Sequence, residues 1–115
     1  RARVRCERLV QRLSVAHAVW LRPDECALLA ARGVAAAVNT TSNLRLRSGI
    51  APMAAMRAAK LDFALGMDSL SLDDDDDMLR EMRLAWRVHR GWGFDDVLDP
   101  AAIFAAATAR GPAIV

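Results

Sequence analysis

Tyrosine is absent from the sequence, and three Trp and three Phe bring the aromatic content to only 5%. That leaves few bulky anchors for a large all-β core. Cysteine is nearly as scarce: Cys6 and Cys26 lie outside any CxxC spacing and are too few for a disulfide framework, so a reduced, cytoplasmic setting is expected. No apolar run approaches the roughly twenty residues of a membrane span, and the start lacks the apolar stretch of a secretory signal, so no membrane association is expected. The first residue is Arg rather than Met, which points to a chain read from the middle of something longer.

What is present is a chain of 115 residues with 54% hydrophobic content, enough for one small packed domain and too apolar for disorder. Ala-rich stretches at 27–37 and 101–109 favour helix, and an α/β fold follows. The net charge of +2 hides two poles: Arg1, Arg3, Arg5, Arg8 and Arg12 at the start, and the run from Asp73 to Asp77 in the second half. An Arg-rich opening can grip phosphates, but Val4, Leu9, Val10 and Leu13 leave one apolar helix face, so the arginines read as a solvated face and no nucleic-acid partner is expected. The acidic run lacks the alternating ligands, central Gly and closing Glu of a calcium loop and reads as a solvated helix start.

Along the chain, residues 14–19 form a short apolar run containing one His and predict a buried strand. Pro23, Asp24 and Glu25 open a helix that Gly33 closes. Residues 34–38 predict a second strand covered on both faces, and 39–49 a long polar loop. Pro52 opens a helix running through Lys60, and residues 63–65 make a third strand. Met78, Met82, Ala85 and His89 recur at helical spacing, and a last helix starts at Pro100 with Asp99 as its N-cap. Gly91-Trp92-Gly93 reads as a helix stop, and the five methionines as core filler rather than copper ligands.

Strands alternating with helices imply parallel pairing, and such sheets gather ligands at the carboxyl ends of their strands. His17, Asn39 and Asp68 all fall at such ends. The residues alone leave two roles open for each of the sharper pair. His17 is either a hydrogen-bonded core side chain or an imidazole that ligates a metal, orients a water or polarises a substrate. Asp68 is either a cap on the following loop or a carboxylate that meets a metal or takes a proton.

Three stretches, in order, resemble the amidohydrolase superfamily, in its branch of chlorohydrolases and of cytosine, guanine and adenosine-type deaminases. They are Val15-Ala16-His17-Ala18-Val19-Trp20-Leu21, then Ser42-Asn43-Leu44-Arg45-Leu46-Arg47-Ser48-Gly49-Ile50-Ala51-Pro52, then Leu65-Gly66-Met67-Asp68 with Met78-Leu79-Arg80-Glu81-Met82-Arg83-Leu84-Ala85. The resemblance implies the C-terminal part of a (β/α)8 TIM barrel, about strands six to eight with their helices, over residues 13–115, and leaves the basic segment 1–12 unplaced. It puts His17 at the end of the sixth strand, hydrogen-bonding the attacking water or the substrate. It puts Asp68 at the end of the eighth strand as metal ligand and proton shuttle, and Asn39, Ser42 and Asn43 on the loop beside the substrate. A divalent metal is implied, zinc before iron or manganese.

The sequence departs from the family in ways that bear on the site. The paired-histidine HxH motif, the fifth-strand histidine and the acid/base glutamate have no counterpart. Val38 beside Asn39 replaces a histidine common after the seventh strand, and the usual Gly-Thr-Asp-Gly appears as Gly66-Met67-Asp68-Ser69. The expected function is therefore metal-dependent hydrolysis of a C–N or C–halogen bond by the intact protein, most often deamination of a nitrogen heterocycle, with this chain alone too poor in ligands to catalyse it. Its expected partners are that small molecule, the remainder of the barrel and further copies in a homo-oligomer. The competing expectation is a barrel fragment kept as a non-catalytic interaction or oligomerisation module.

Overall fold

The computed structural model describes residues 13–69, 76–91 and 97–111. The basic opening with Cys6, the first three residues of the acidic run and the end of the Gly91-Trp92-Gly93 stop lie outside the described residues. Three short strands, β1 (Ser14–Ala16), β2 (Ala35–Val38) and β3 (Phe63–Leu65), form a parallel sheet in the order β1-β2-β3. Ser14 pairs with Ala35, and Ala36 in turn with Phe63. Parallel neighbours need long crossovers, and helices fill them. α1 (Pro23–Ala31) links β1 to β2, α2 (Thr40–Arg45) and α3 (Met53–Ala58) link β2 to β3, and α4 (Met78–His89) and α5 (Pro100–Ala107) follow.

Local chemistry fixes most helix ends. The Arg22 N–H donates to the Glu25 carboxylate at 2.9 Å, and Pro23 occupies the first turn, where its missing N–H costs nothing. At the far end Gly33 takes φ +67, its N–H donating to the Ala30 carbonyl and that of Val34 to the Leu29 carbonyl, the paired bonds of a Schellman closure. The Asp77 carboxylate accepts the Leu79 and Arg80 N–H groups at the start of α4, and Asp99 accepts that of Ala102 at the start of α5.

The structure departs from the sequence reading at three places, one being that the strand expected to be buried has Ser14 and Ala16 exposed, with nothing in the described residues packed over them. The first strand stops at Ala16, because His17 and Ala18 both take left-handed φ values, +64 and +54, which no strand can continue. The stretch read as a long polar loop begins instead with α2. The reason for α2 is tertiary and lies on α4, as described below.

The core sits between the sheet and its helices. Ala36 and Val38 of β2 and Phe63 and Leu65 of β3 are buried in one cluster with Cys26 of α1, Met53 and Met56 of α3, Ala85 of α4 and Ile103 and Ala106 of α5, and Ala64 of β3 is buried as well. Met78 and Met82 pack on its margin, as filler should. Cys26 is a fully buried free thiol whose pKa burial pushes up. By contrast Ser14 and Ala16 of β1 are exposed, so the β1 side of the sheet is the open one. Among the described residues no helix is long and apolar enough to cross a membrane.

Candidate active site

At the carboxyl end of the sheet the chain leaves each strand in a conformation that points polar side chains at one another. The His17 N–H still donates to the Ala37 carbonyl at 2.7 Å, extending the ladder by one bond before the left-handed turn. Asp68, beyond β3, is also left-handed at φ +72. For His the conformation costs roughly 1 kcal/mol, while Asp and Asn tolerate it better. Strain of this kind concentrates at functional sites.

Between these two residues stands α2, whose Ser42 and Asn43 are 1% and 2% exposed. Asn43 Oδ1 lies 2.8 Å from His17 Nδ1, and Asn43 Nδ2 donates to the His17 carbonyl at 3.4 Å. With the amide oxygen as acceptor, Nδ1 carries the proton of the neutral ring and Nε2 presents a lone pair. That Nε2 faces Asp68 Oδ2 at 3.8 Å, and the Ser42 hydroxyl donates to the same oxygen at 2.7 Å. His17 and Asp68 are thus each tied to a neighbouring residue of one short helix. Asn39, also buried, accepts the Asn43 N–H on its carbonyl at 2.9 Å, while its amide oxygen lies where a Cβ on Gly66 would have to be, so only glycine lets β3 exit this close. Beside the cluster a cleft of about 590 Å³ opens along residues 15–21, with Leu46 and Ser48 on its other wall.

Glu81 of α4 holds α2 in place. Its carboxylate, wholly buried, accepts the Thr40 N–H at 2.6 Å, the Thr41 N–H at 3.2 Å and the Thr41 hydroxyl. These are charge-assisted bonds to the first N–H groups of a helix, which otherwise lack partners. Sequence reasoning placed Glu81 in a matching stretch without giving it a role. The signal was legible, since an acid on the inward stripe of an amphipathic helix is costly unless several donors meet it. Glu81→Ala is expected to destabilise the fold by about 2 kcal/mol in a urea titration, the scale of a lost charged acceptor that leaves buried donors unpaired.

One turn pair further along α4, His89 is buried, with its Nε2 and the Thr40 hydroxyl sharing a hydrogen bond of 3.3 Å. Burial pushes its pKa down from 6.5 to about 4. The unfolded ring takes up a proton as the pH falls through 6.5, and the folded ring refuses it until about 4. Stability therefore falls with pH across that window. The expected loss is of the order of 3 kcal/mol, read as the difference between the pH-stability curves of the parent and of His89→Gln, which should lack this component.

The donor set is short of a complete metal centre. Among the described residues no group of three or more His, Cys, Asp or Glu is placed to hold a metal ion, whereas catalytic zinc takes three protein ligands. Asp68 offers one carboxylate with the His17 Nε2 beside it, so these residues fit a share of such a site and not the whole.

Known proteins resemble this chain in sequence and in fold. The sequence profile of the amidohydrolase family matches residues 6–115. The chain is 37% identical over 98 residues to a 5-methylthioadenosine/S-adenosylhomocysteine deaminase of Thermococcus onnurineus, covering 84% of this chain and 23% of the relative. It is 38% identical over 95 residues to a 5'-deoxyadenosine deaminase of Methanospirillum hungatei, covering 82% and 21%. Among solved structures it is similar to a zinc-bound adenosine deaminase of Xanthomonas campestris, with TM-score 0.81 and 32% identity over 99% of this chain and 27% of that one. A triazine hydrolase variant matches with TM-score 0.79 and 30% identity, over 90% and 23%. The chain spans about a quarter of the length of these relatives. Its mixed α/β fold with a parallel sheet, its profile and its relatives agree: the chain belongs to the amidohydrolase family.

Proposed function

We propose that residues 13–115 form strands six to eight of a (β/α)8 barrel and contribute His17 and Asp68 to the active site of a metal-dependent deaminase acting on a purine nucleoside or a similar nitrogen heterocycle. One observation carries the reading: His17 Nε2 and Asp68 Oδ2 face each other at 3.8 Å at the carboxyl end of the sheet, each held by a residue of α2. Support for the reaction class comes from relatives named as deaminases of adenosine-type nucleosides. The exposed residues of β1 and the short match to each relative support further strands beside this sheet.

In this reading Asp68 is both a metal ligand and the base that takes a proton from the attacking water. The Ser42 hydroxyl steadies its Oδ2, leaving the carboxylate aimed into the site. His17 presents Nε2, its tautomer fixed by Asn43, and orients the water or polarises the ring that is attacked. A divalent ion, zinc before iron or manganese, would be held by Asp68 together with donors from other strands and would supply the acidity of that water. Ser42 and Asn43 are positioning residues, and Asn39 with Gly66 sets how closely the exits of β2 and β3 approach. Water adds at the amino-bearing ring carbon and the C–N bond breaks, so one ammonia leaves for each heterocycle converted to its oxo form.

The complete enzyme is expected to release one ammonia per molecule of 5'-methylthioadenosine, 5'-deoxyadenosine or adenosine consumed, followed by a coupled ammonia assay. An aminotriazine belongs in the same panel. Release of no ammonia from any of them would remove the deaminase reading and leave the family fold without that reaction.

A further inference from the structure

Two buried titratable groups, Glu81 and His89, take no part in the proposed chemistry, and both meet the start of α2. They lie about two turns apart on one face of α4, with the buried Ala85 between them. The Glu81 carboxylate accepts the Thr40 and Thr41 N–H groups and the Thr41 hydroxyl, and His89 Nε2 shares a hydrogen bond with the Thr40 hydroxyl. Local sequence offers no substitute for these bonds. The Asn39 side chain at the N-cap makes no capping bond, and a helix of six residues does not persist in water by itself. α2 is therefore anchored to α4, and the two residues that follow the anchor, Ser42 and Asn43, hold Asp68 and His17.

We infer that Glu81, assisted by His89, is a positioning residue of the active site, acting through α2 to set the His17 tautomer and the Asp68 orientation together. The inference rests on the proposed roles of His17 and Asp68. Glu81 is wholly buried and is not among the residues that line the cleft beside His17, so its action is transmitted rather than direct. A carboxylate that accepts three donors fixes both the rotation and the axial position of the first turn of α2. The helical repeat then fixes where the next two side chains point. When α2 turns or slides, Asn43 Oδ1 leaves His17 Nδ1, and the ring is free to carry its proton on Nε2, which then offers no lone pair to the site. The same displacement withdraws the Ser42 hydroxyl from Asp68 Oδ2. One buried carboxylate thus governs two groups at the ends of different strands.

A double-mutant cycle in the complete enzyme, folded and metal-replete, tests this. Glu81→Met keeps the length of the side chain and removes the acceptor, and should lower kcat about tenfold or more with KM nearly unchanged, the scale of a lost outer partner. Glu81→Gln, which retains one acceptor oxygen, should fall between. Added to S42A/N43A, where both tethers are already gone, Glu81→Met should lower kcat little further. Nitrogen NMR of the labelled imidazoles reads the same event without any reaction, with the His17 signals identified by their loss in His17→Asn. His17 should be protonated on Nδ1 in the parent and on a mixture of both nitrogens in the Glu81 variants. Parent-like kcat in Glu81→Met, or losses that multiply in the triple variant, would overturn the assignment. So would a His17 tautomer unchanged in the variants, whether or not the parent releases ammonia. A parent already protonated on Nε2 would overturn it together with the proposed role of His17. Should Glu81→Met fail to fold, Glu81→Gln decides alone, and a kcat and tautomer equal to the parent's would count against the assignment.

Discussion

In the complete enzyme Asp68→Asn is expected to lower turnover by about three to four orders of magnitude, the combined scale of a lost proton acceptor and lost electrostatic stabilisation. The substitution separates chemistry from scaffold with little disturbance. Asn adopts the left-handed backbone at φ +72 as readily as Asp, and its amide oxygen can still accept the Ser42 hydroxyl. What disappears is the negative charge and the basic oxygen. The metal-free variant should therefore melt near the parent. Turnover within tenfold of the parent, with metal retained, would return Asp68 to the role of a loop cap.

His17→Asn is the second large effect. Turnover should fall by about a hundredfold or more, the scale of a missing acid/base or polarising group, while the metal content stays at that of the parent. Asn is again tolerated at φ +64, so the strand exit need not rearrange. The two halves of this result fail in different ways. Loss of metal would make His17 a ligand, and an active variant with its metal in place would make the His17–Asn43 pair a purely structural tie.

Why the sequence revealed some of this and not the rest follows from the range of the interactions. Both ends of α1 are legible because Pro23 and Glu25 act within its first turn and Gly33 within a few residues of its last. Asp77 and Asp99 cap helices that start immediately after them. The β-α rhythm located His17, Asn39 and Asp68 at strand ends, because parallel pairing has few alternatives. α2 was misread as loop because its stabilising acceptor, Glu81, lies 41 residues from Thr40, and Thr, Ser and Asn favour turns when judged locally. With α2 missing, the bonds from Ser42 to Asp68 and from Asn43 to His17 had no geometry to rest on. Both cross 26 residues of sequence and exist only because one helical turn presents the two side chains together. The early end of β1 was hidden for a related reason, since Ala18 carries no local mark of a left-handed backbone.

Whether this segment brings a metal ligand to a shared catalytic centre can be seen by anomalous diffraction at the zinc edge from crystals of the complete enzyme grown with zinc. One strong peak is expected about 2.0–2.2 Å from an oxygen of Asp68, with the Ser42 and Asn43 tethers in place around it. A fully occupied peak held entirely by other residues, with the Asp68 carboxylate turned away, would contradict it.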